Sequence, residues 1–296
     1  MMKSLMGLVR RNITMYLRNR ASVAFSFLSM LIILALNTIF LGGINEEYLA
    51  KFMPASRVQV AHVTGSWLMA GIIVVNAVMV TLSVLGIMVE DEEKHKLAAF
   101  LVAPIIRVTL VLSYIMAACM TSFVFCLITL GISQIYLYMT CKVFLSMVAL
   151  FKIIGLIAAN IFSIVTLFIC MAVFIRSTSA YGAFTTTIGT LIGFIAGIYL
   201  PIGSLPDYVQ KVLKAFPVLY GTAAVREVYT EAALSEIFKG APEEVINGYK
   251  VFMGIRIEWG DRGVSLFMCL LLLVGSGILF TIIAIGLLSK KKTSDR

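Results

Sequence analysis

The sequence predicts an all-α, polytopic membrane protein with six transmembrane helices. Three observations carry that expectation. Six runs, at approximately 23–41, 67–89, 110–136, 153–175, 180–200 and 264–288, contain no Asp, Glu, Lys, Arg or His, and each is about as long as the ~20 apolar residues needed to cross a bilayer core. The 296-residue chain is 60% hydrophobic and 13% charged, against about 25% charged residues in an ordinary soluble domain. Its Lys and Arg residues are unevenly shared between alternate connections, as the positive-inside rule requires of a chain with both termini in the cytoplasm.

The elements follow in chain order. Residues 1–22 are expected to form an amphipathic helix. Leu5, Leu8, Val9, Ile13, Tyr16 and Leu17 share one side, and Lys3, Arg10, Arg11, Thr14 and Arg18 share the other. Such a helix lies in the inner headgroup region with its basic face toward anionic lipid. The first apolar run is too long for the core of a signal peptide and lacks a small-x-small cleavage site after it. Residues 42–66 form a short outer loop and residues 90–107 a cytoplasmic one. The third run is long enough to tilt or to extend past the bilayer. A tight outer hairpin leads to the fourth run, and the inner turn "IRSTSAYG" leads to the fifth. Residues 201–263 make the one large outer segment. Thirteen Lys and Arg fall in the cytoplasmic segments and four in the two short outer loops. The net charge of +9 therefore reflects orientation and not an affinity for nucleic acid. The implied location is the cell membrane.

Several function classes are disfavoured. No span holds an ionisable residue, whereas ion-coupled carriers and intramembrane enzymes usually place acids or histidines at membrane depth. Both histidines, His62 and His95, lie in loops. No G-x-x-x-x-G-K-[ST] loop occurs, so any energy from ATP must come from another polypeptide. The five cysteines form no C-x-x-C pair; they read as buried small hydrophobes and not as metal ligands. Asn37, Asn76, Gln134, Asn160 and Thr185, Thr186 and Thr187 are polar positions within spans. They suit interhelical hydrogen bonds or contact with a substrate. In "GTLIGFIAGIYLP", Gly189, Gly193 and Gly197 recur at every fourth position, which lets another helix approach closely. That helix belongs to this chain or to a second copy.

The stretch "EDEEKHKLAAFLVAPIIR", residues 90–107, is unusually charged for a connector. A helix over 91–103 would carry Asp91, Glu92 and Glu93 in its first turn, as the macrodipole favours, and Pro104 would end it. Leu97, Phe100 and Leu101 would form an i, i+3, i+4 patch. That patch suits either a groove on a cytoplasmic partner or the lipid surface.

This stretch also resembles the cytoplasmic loop of type-2 ATP-binding-cassette (ABC) permeases, in which an acidic-basic cluster precedes Gly-Thr-Leu and Leu-Leu-Val-x-Pro. Glu93, Lys94, Leu97, Leu101, Val102 and Pro104 match that pattern; His95 and Lys96 replace Gly-Thr, and Phe100 replaces a leucine. A second stretch, "GIYLPIGSLPDYVQKVLKAFPVLYGTAAVREV", resembles the family's external segment through Pro201, Gly203, Leu205, Pro206, Phe216, Pro217 and Arg226. Residues 231–259 do not match and read as a family-variable insertion.

The resemblance implies that Glu93, Lys94, Leu97, Phe100, Leu101 and Pro104 belong to a coupling helix docked on a separate nucleotide-binding subunit, with ATP and Mg2+ on that subunit and no cofactor on this chain. It implies a second permease chain, identical or similar, and a path largely between the first, second and fifth spans of the two halves. Asn37, Asn76, Gly189, Gly193, Phe194 and Gly197 are its candidate path or dimer-packing residues. Pro201, Pro206, Phe216, Pro217 and Arg226 are candidates for the external re-entrant segment that caps it. The expected function is ATP-driven export of a hydrophobic or amphipathic compound: a drug, an antimicrobial peptide or lipid-linked cargo. The rival readings are an ATP-independent membrane receptor that docks a partner through residues 90–107, and an intramembrane enzyme.

Overall fold

A computed structural model describes residues 2–36, 56–96, 107–260 and 262–290. Its helices are α1 (Met2–Arg18), α2 (Arg20–Leu36), α3 (Arg57–Glu93), α4 (Arg107–Cys141), α5 (Met147–Ala172) and α6 (Thr178–Ile195). A 3-10 turn at Ile202–Ser204 precedes α7 (Asp207–Leu213), α8 (Pro217–Ile237) and α9 (Glu243–Phe252). A two-residue antiparallel pair, β1 (Glu258–Trp259) and β2 (Arg262–Gly263), then leads into α10 (Leu266–Lys290).

Among the described residues, four segments are long and apolar enough to cross a membrane: Val58–Glu93, Val108–Cys141, Met147–Ala172 and Leu266–Leu287. The described part of the first apolar run, residues 23–36, is most of α2. The fifth run is α6, whose threonines and glycines dilute its apolar content. Its helix stops at Ile195.

Helix starts follow local chemistry. Ser56 caps α3 with a reciprocal capping box to Gln59, and Ser146 and Ser177 accept from the third residue of α5 and α6, each satisfying an orphan N–H of the first turn. Pro217 stands at the first position of α8, where its missing N–H loses nothing.

Helix α3 is the centre of the fold. It packs against α2, α4, α5, α6 and α8, and Trp67, Leu68, Met69, Ile72 and Ile73 are all buried. A helix that is apolar all round belongs inside a bundle. At 37 residues it is about 55 Å long, well beyond the roughly 30 Å hydrocarbon thickness. The apolar run 67–89 is therefore only its middle, and both ends carry polar residues on the same continuous helix. Helix α10 packs on α5 and exposes Leu271, Ile278, Leu279 and Ile282, a surface suited to lipid.

The acids of residues 91–93 were expected to open a new helix. Instead Asp91, Glu92 and Glu93 form the last turn of α3. No proline or glycine interrupts the chain after the apolar run, so the helix continues until Lys94 caps it and His95 turns out with φ +53°. Acids at a helix C-terminus oppose the macrodipole; here Lys94 reaches back to Glu90 at 2.7 Å and Asp91 has cationic partners of its own. Leu97, Phe100, Leu101 and Pro104 lie outside the described residues, as does Asn37.

Candidate functional site

Two charged clusters and an apolar cleft lie along α3. At the Asp91 end, α1 buries Leu8, Val9, Asn12 and Tyr16 against α4 and α3. This places Arg11 at the edge of the contact. Its guanidinium donates from both terminal nitrogens to the two oxygens of Asp91, each at 2.7 Å. Tyr114 of α4 donates to Asp91 Oδ2, also at 2.7 Å, and Lys96 Nζ lies 3.7 Å from Oδ1. Asp91 is wholly buried, while the Arg11 side chain remains 26% exposed. The hydrogen bonds to Asp91 raise the Arg11 guanidinium above its ordinary value against the opposing effect of burial. Arg11 also donates to Asn12 Oδ1 at 3.0 Å.

Arg11 was expected to face lipid with the other basic residues. The buried face of α1 is rotated so that Asn12 goes in and Leu17 comes out, 52% exposed, and the inward carboxylate of Asp91 takes the arginine. The sequence contains both charges, but 80 positions separate them, and helical periodicity pairs only near neighbours. The remaining basic face, with Lys3, Arg10 and Arg18, is exposed.

Beside the N-terminal half of α3, Arg226 of α8 is wholly buried. Its acceptors are main-chain carbonyls: Gly197 at 3.1 Å, Trp67 at 3.4 Å and Met253 at 3.5 Å. The guanidinium carbon sits 4.1 Å from the centroid of the Trp67 ring, a cation–π contact. Trp67 Nε1 itself donates to the Met253 carbonyl at 2.7 Å. Gly197 and Met253 stand at the C-terminal ends of α6 and α9, where helix dipoles favour a cation. Burial lowers the Arg226 pKa to about 9, which leaves it charged at neutral pH. The other residues of this segment punctuate the chain. Pro201 precedes the 3-10 turn, Pro206 precedes α7, and Phe216, 38% exposed, precedes Pro217 and α8.

The three glycines of the fifth run do three different jobs. Gly189 faces Met79 of α3, where a Cβ would lie 3.3 Å from the methionine methyl. Gly193 is covered by the Tyr199 ring of its own chain, which a Cβ would strike. Gly197 lies past the helix end with φ +59°. Its N–H reaches Phe194 O at 2.9 Å and Ile198 N–H reaches Gly193 O at 2.8 Å, a Schellman cap. One shared face across all three is thus absent, because the helix ends before the third.

The first, second and fifth apolar runs nevertheless meet. Phe25, Ser26, Leu28 and Ile32 of α2 and Met79 and Ser83 of α3 line a cleft of about 280 Å³, and Met79 is the residue against Gly189. Beside it α6 exposes Gly182, Ala183, Thr186, Thr187, Thr190, Leu191 and Phe194. The threonine hydroxyls donate to carbonyls of their own helix at 2.9–3.0 Å. Asn76 is buried and donates to Thr129 of α4 at 2.7 Å, Gln134 donates to Tyr229 at 2.8 Å, and Asn160 packs against Gly221.

A bundle of long apolar helices, cleft along its central helix, defines a multi-pass membrane protein. A profile of the ABC-2 type transporter family matches residues 3–230, and the chain belongs to that family. It is a transmembrane permease component, and membership implies association with a cytoplasmic ABC ATPase subunit. The match stops beside residue 231, where the likeness of the external segment also ends. No match was found among curated proteins.

Proposed function

We propose that this chain is the permease subunit of an ATP-driven exporter of hydrophobic or amphipathic compounds. A separate nucleotide-binding subunit holds ATP and Mg2+ and docks on residues 93–104, with Leu97, Phe100 and Leu101 as anchors between Glu93, Lys94 and Pro104. Two permease chains face each other, with the cleft and the exposed face of α6, Phe194 included, toward the shared path. The segment from Pro201 to Arg226 caps that path on the outer side. Both termini are cytoplasmic, and the exposed basic face of α1 meets anionic lipid.

The cleft carries the cargo assignment. Its walls are apolar side chains with two serines, and Ser26 and Ser83 donate to carbonyls of their own helices at 2.9 Å. A site with no free charge and few hydroxyl donors suits a greasy or amphipathic compound better than an ion or a sugar. The docking assignment is tested by Phe100→Asp, which puts an unpaired charge in a buried contact. The variant is expected to insert normally and to lose co-purification of the ATPase subunit. Native co-purification and cargo-stimulated ATP hydrolysis in Phe100→Asp would overturn it.

A further inference from the structure

Asp91 stands in the last turn of α3 and receives Arg11 from α1, Tyr114 from α4 and the nearby ammonium of Lys96. The bidentate fork fixes orientation as well as distance. Helix α1 passes to α2 through Asn19 alone. At the far end of α1, Tyr16 shares a hydrogen bond with Ser26 at 2.9 Å, and Ser26 lines the cleft. The Tyr16 ring also meets Phe125 edge-on at 5.6 Å, and Phe27 stacks on Phe125 at 5.0 Å.

We propose that α1 is a lever joining the Asp91 end of α3 to the cleft, with Arg11–Asp91 as its input contact and Tyr16–Ser26 as its output. The inference rests on the transport reading above. Movement of the α3 end by even an ångström breaks the paired geometry at Asp91 unless Arg11 follows. The rest of α1 is packed on α4 and α3 by Leu8 and Val9, so it follows as a rigid element. The hydroxyl of Tyr16 then passes the displacement to Ser26 and the wall that contains Phe25 and Leu28. Apolar packing alone could hold α1 in place; two polar contacts, Arg11 at mid-helix and Tyr16 near the C-terminal end, give it a direction. Arg11, Asp91, Tyr16 and Ser26 are positioning residues in this scheme. A continuous network of packed and hydrogen-bonded groups is the physical requirement for such coupling, and a measured coupling is its proof.

The test uses the full chain with its co-purified ATPase subunit in lipid nanodiscs. A spin label is placed at exposed Leu28→Cys; four of the five native cysteines are buried and Cys119 is half-buried. Addition of ATP and Mg2+ is expected to change the label's mobility in the otherwise native chain. Tyr16→Phe keeps the ring packing and removes only the hydroxyl, and Asp91→Asn keeps the shape and removes the charge. Each is expected to cut the nucleotide-dependent change roughly threefold or more while the amount of assembled complex stays the same. Tyr16→Phe keeps the test open if Asp91→Asn fails to fold. A full mobility change in assembled Tyr16→Phe overturns the lever, as does an assembled native complex whose label ignores ATP. If no ATPase subunit accompanies the native chain, the transport reading fails first and the lever falls with it.

Discussion

Two charges are completely buried along α3, Asp91 in its last turn and Arg226 beside Trp67 and Gly71 in its N-terminal half, and they are held in opposite ways. The acid Asp91 is surrounded by side chains: the fork of Arg11, the Tyr114 hydroxyl and the Lys96 ammonium. The base Arg226 is surrounded by main-chain carbonyls and the Trp67 ring. A carbonyl at a helix end is part of the fold and is present whenever the helix is. A side-chain partner belongs to one residue and can be removed or moved with its own element. The Arg226 cluster is therefore built as a frame that fixes α3, α6, α8 and α9 together. The Asp91 end is built as a joint, in which α1 and α4 meet α3 through individual side chains.

The contrast breaks first at Arg11. In Arg11→Gln, Asp91 loses its bidentate cation while remaining buried. Stranding one member of a buried pair costs about 3–5 kcal/mol, and the partial exposure of Arg11 puts the expected loss at the lower end, ~3 kcal/mol. Thermal unfolding in detergent should show the loss directly. Adding Asp91→Asn removes the stranded charge and should recover much of it. A single variant as stable as the native chain would mean that Asp91 does not depend on Arg11.

Arg226 should respond less to loss of charge than to loss of volume. Its acceptors are uncharged, so Arg226→Met leaves no stranded ion and keeps a long apolar stem against Trp67; about 1 kcal/mol is expected. Arg226→Ala also opens a cavity among Trp67, Gly71 and Ile198 and should cost ~3 kcal/mol. Equal losses in the two variants would show that the charge, and not the filling, holds this cluster.

This contrast was only partly legible in the sequence. The long apolar runs predict the buried helices because a bilayer-length stretch without charge has one stable use. The prolines at 201, 206 and 217 entered only through the resemblance; each precedes or opens a helix, because a missing N–H and a fixed φ act locally. Arg226 was visible only as a match within a longer resemblance; its stacking on a tryptophan 159 positions away leaves no periodic trace. The Arg11–Asp91 bridge was hidden for the same reason. Charges in a row before a loop also look alike whether they end one helix or begin another, which is how the last turn of α3 was taken for the start of the next helix. The glycine spacing was read as one face because sequence periodicity assumes a helix that continues, whereas α6 ends with a Schellman cap between the second and third glycines.

Gly193 sharpens the frame side of the comparison. A methyl group there collides with the Tyr199 ring, so Gly193→Ala should cost about 1–3 kcal/mol through overpacking. The loss should be local to the chain's own fold. Tyr199→Ala, placed in the same molecule, makes room and should restore part of the stability of Gly193→Ala. If Tyr199→Ala gives no relief, the glycine is kept for a contact outside this chain, and the α6 face at Gly193 returns to the interface between two permease chains.

The smallest expected effect tests the joint at its hinge. His95 follows the cap of α3 in the left-handed region, φ +53°, with its N–H on Glu92 O at 3.0 Å. A non-glycine residue there pays for the contact between its Cβ and the backbone, whereas glycine does not. The family pattern that this loop resembles has glycine at the corresponding place, which fits a helix that ends in this way. His95→Gly should therefore stabilise the chain by ~0.5–1 kcal/mol despite the added freedom of the unfolded state, and His95→Val, branched at Cβ, should destabilise it. Both changes leave Asp91, Arg11 and Tyr114 in place, so the bridge to Arg11 is untouched and only the exit angle of the loop that carries Lys96 is loosened or strained. A lower unfolding temperature for His95→Gly would show that the imidazole itself holds this turn, and would move His95 from the end of a helix into the cluster around Asp91.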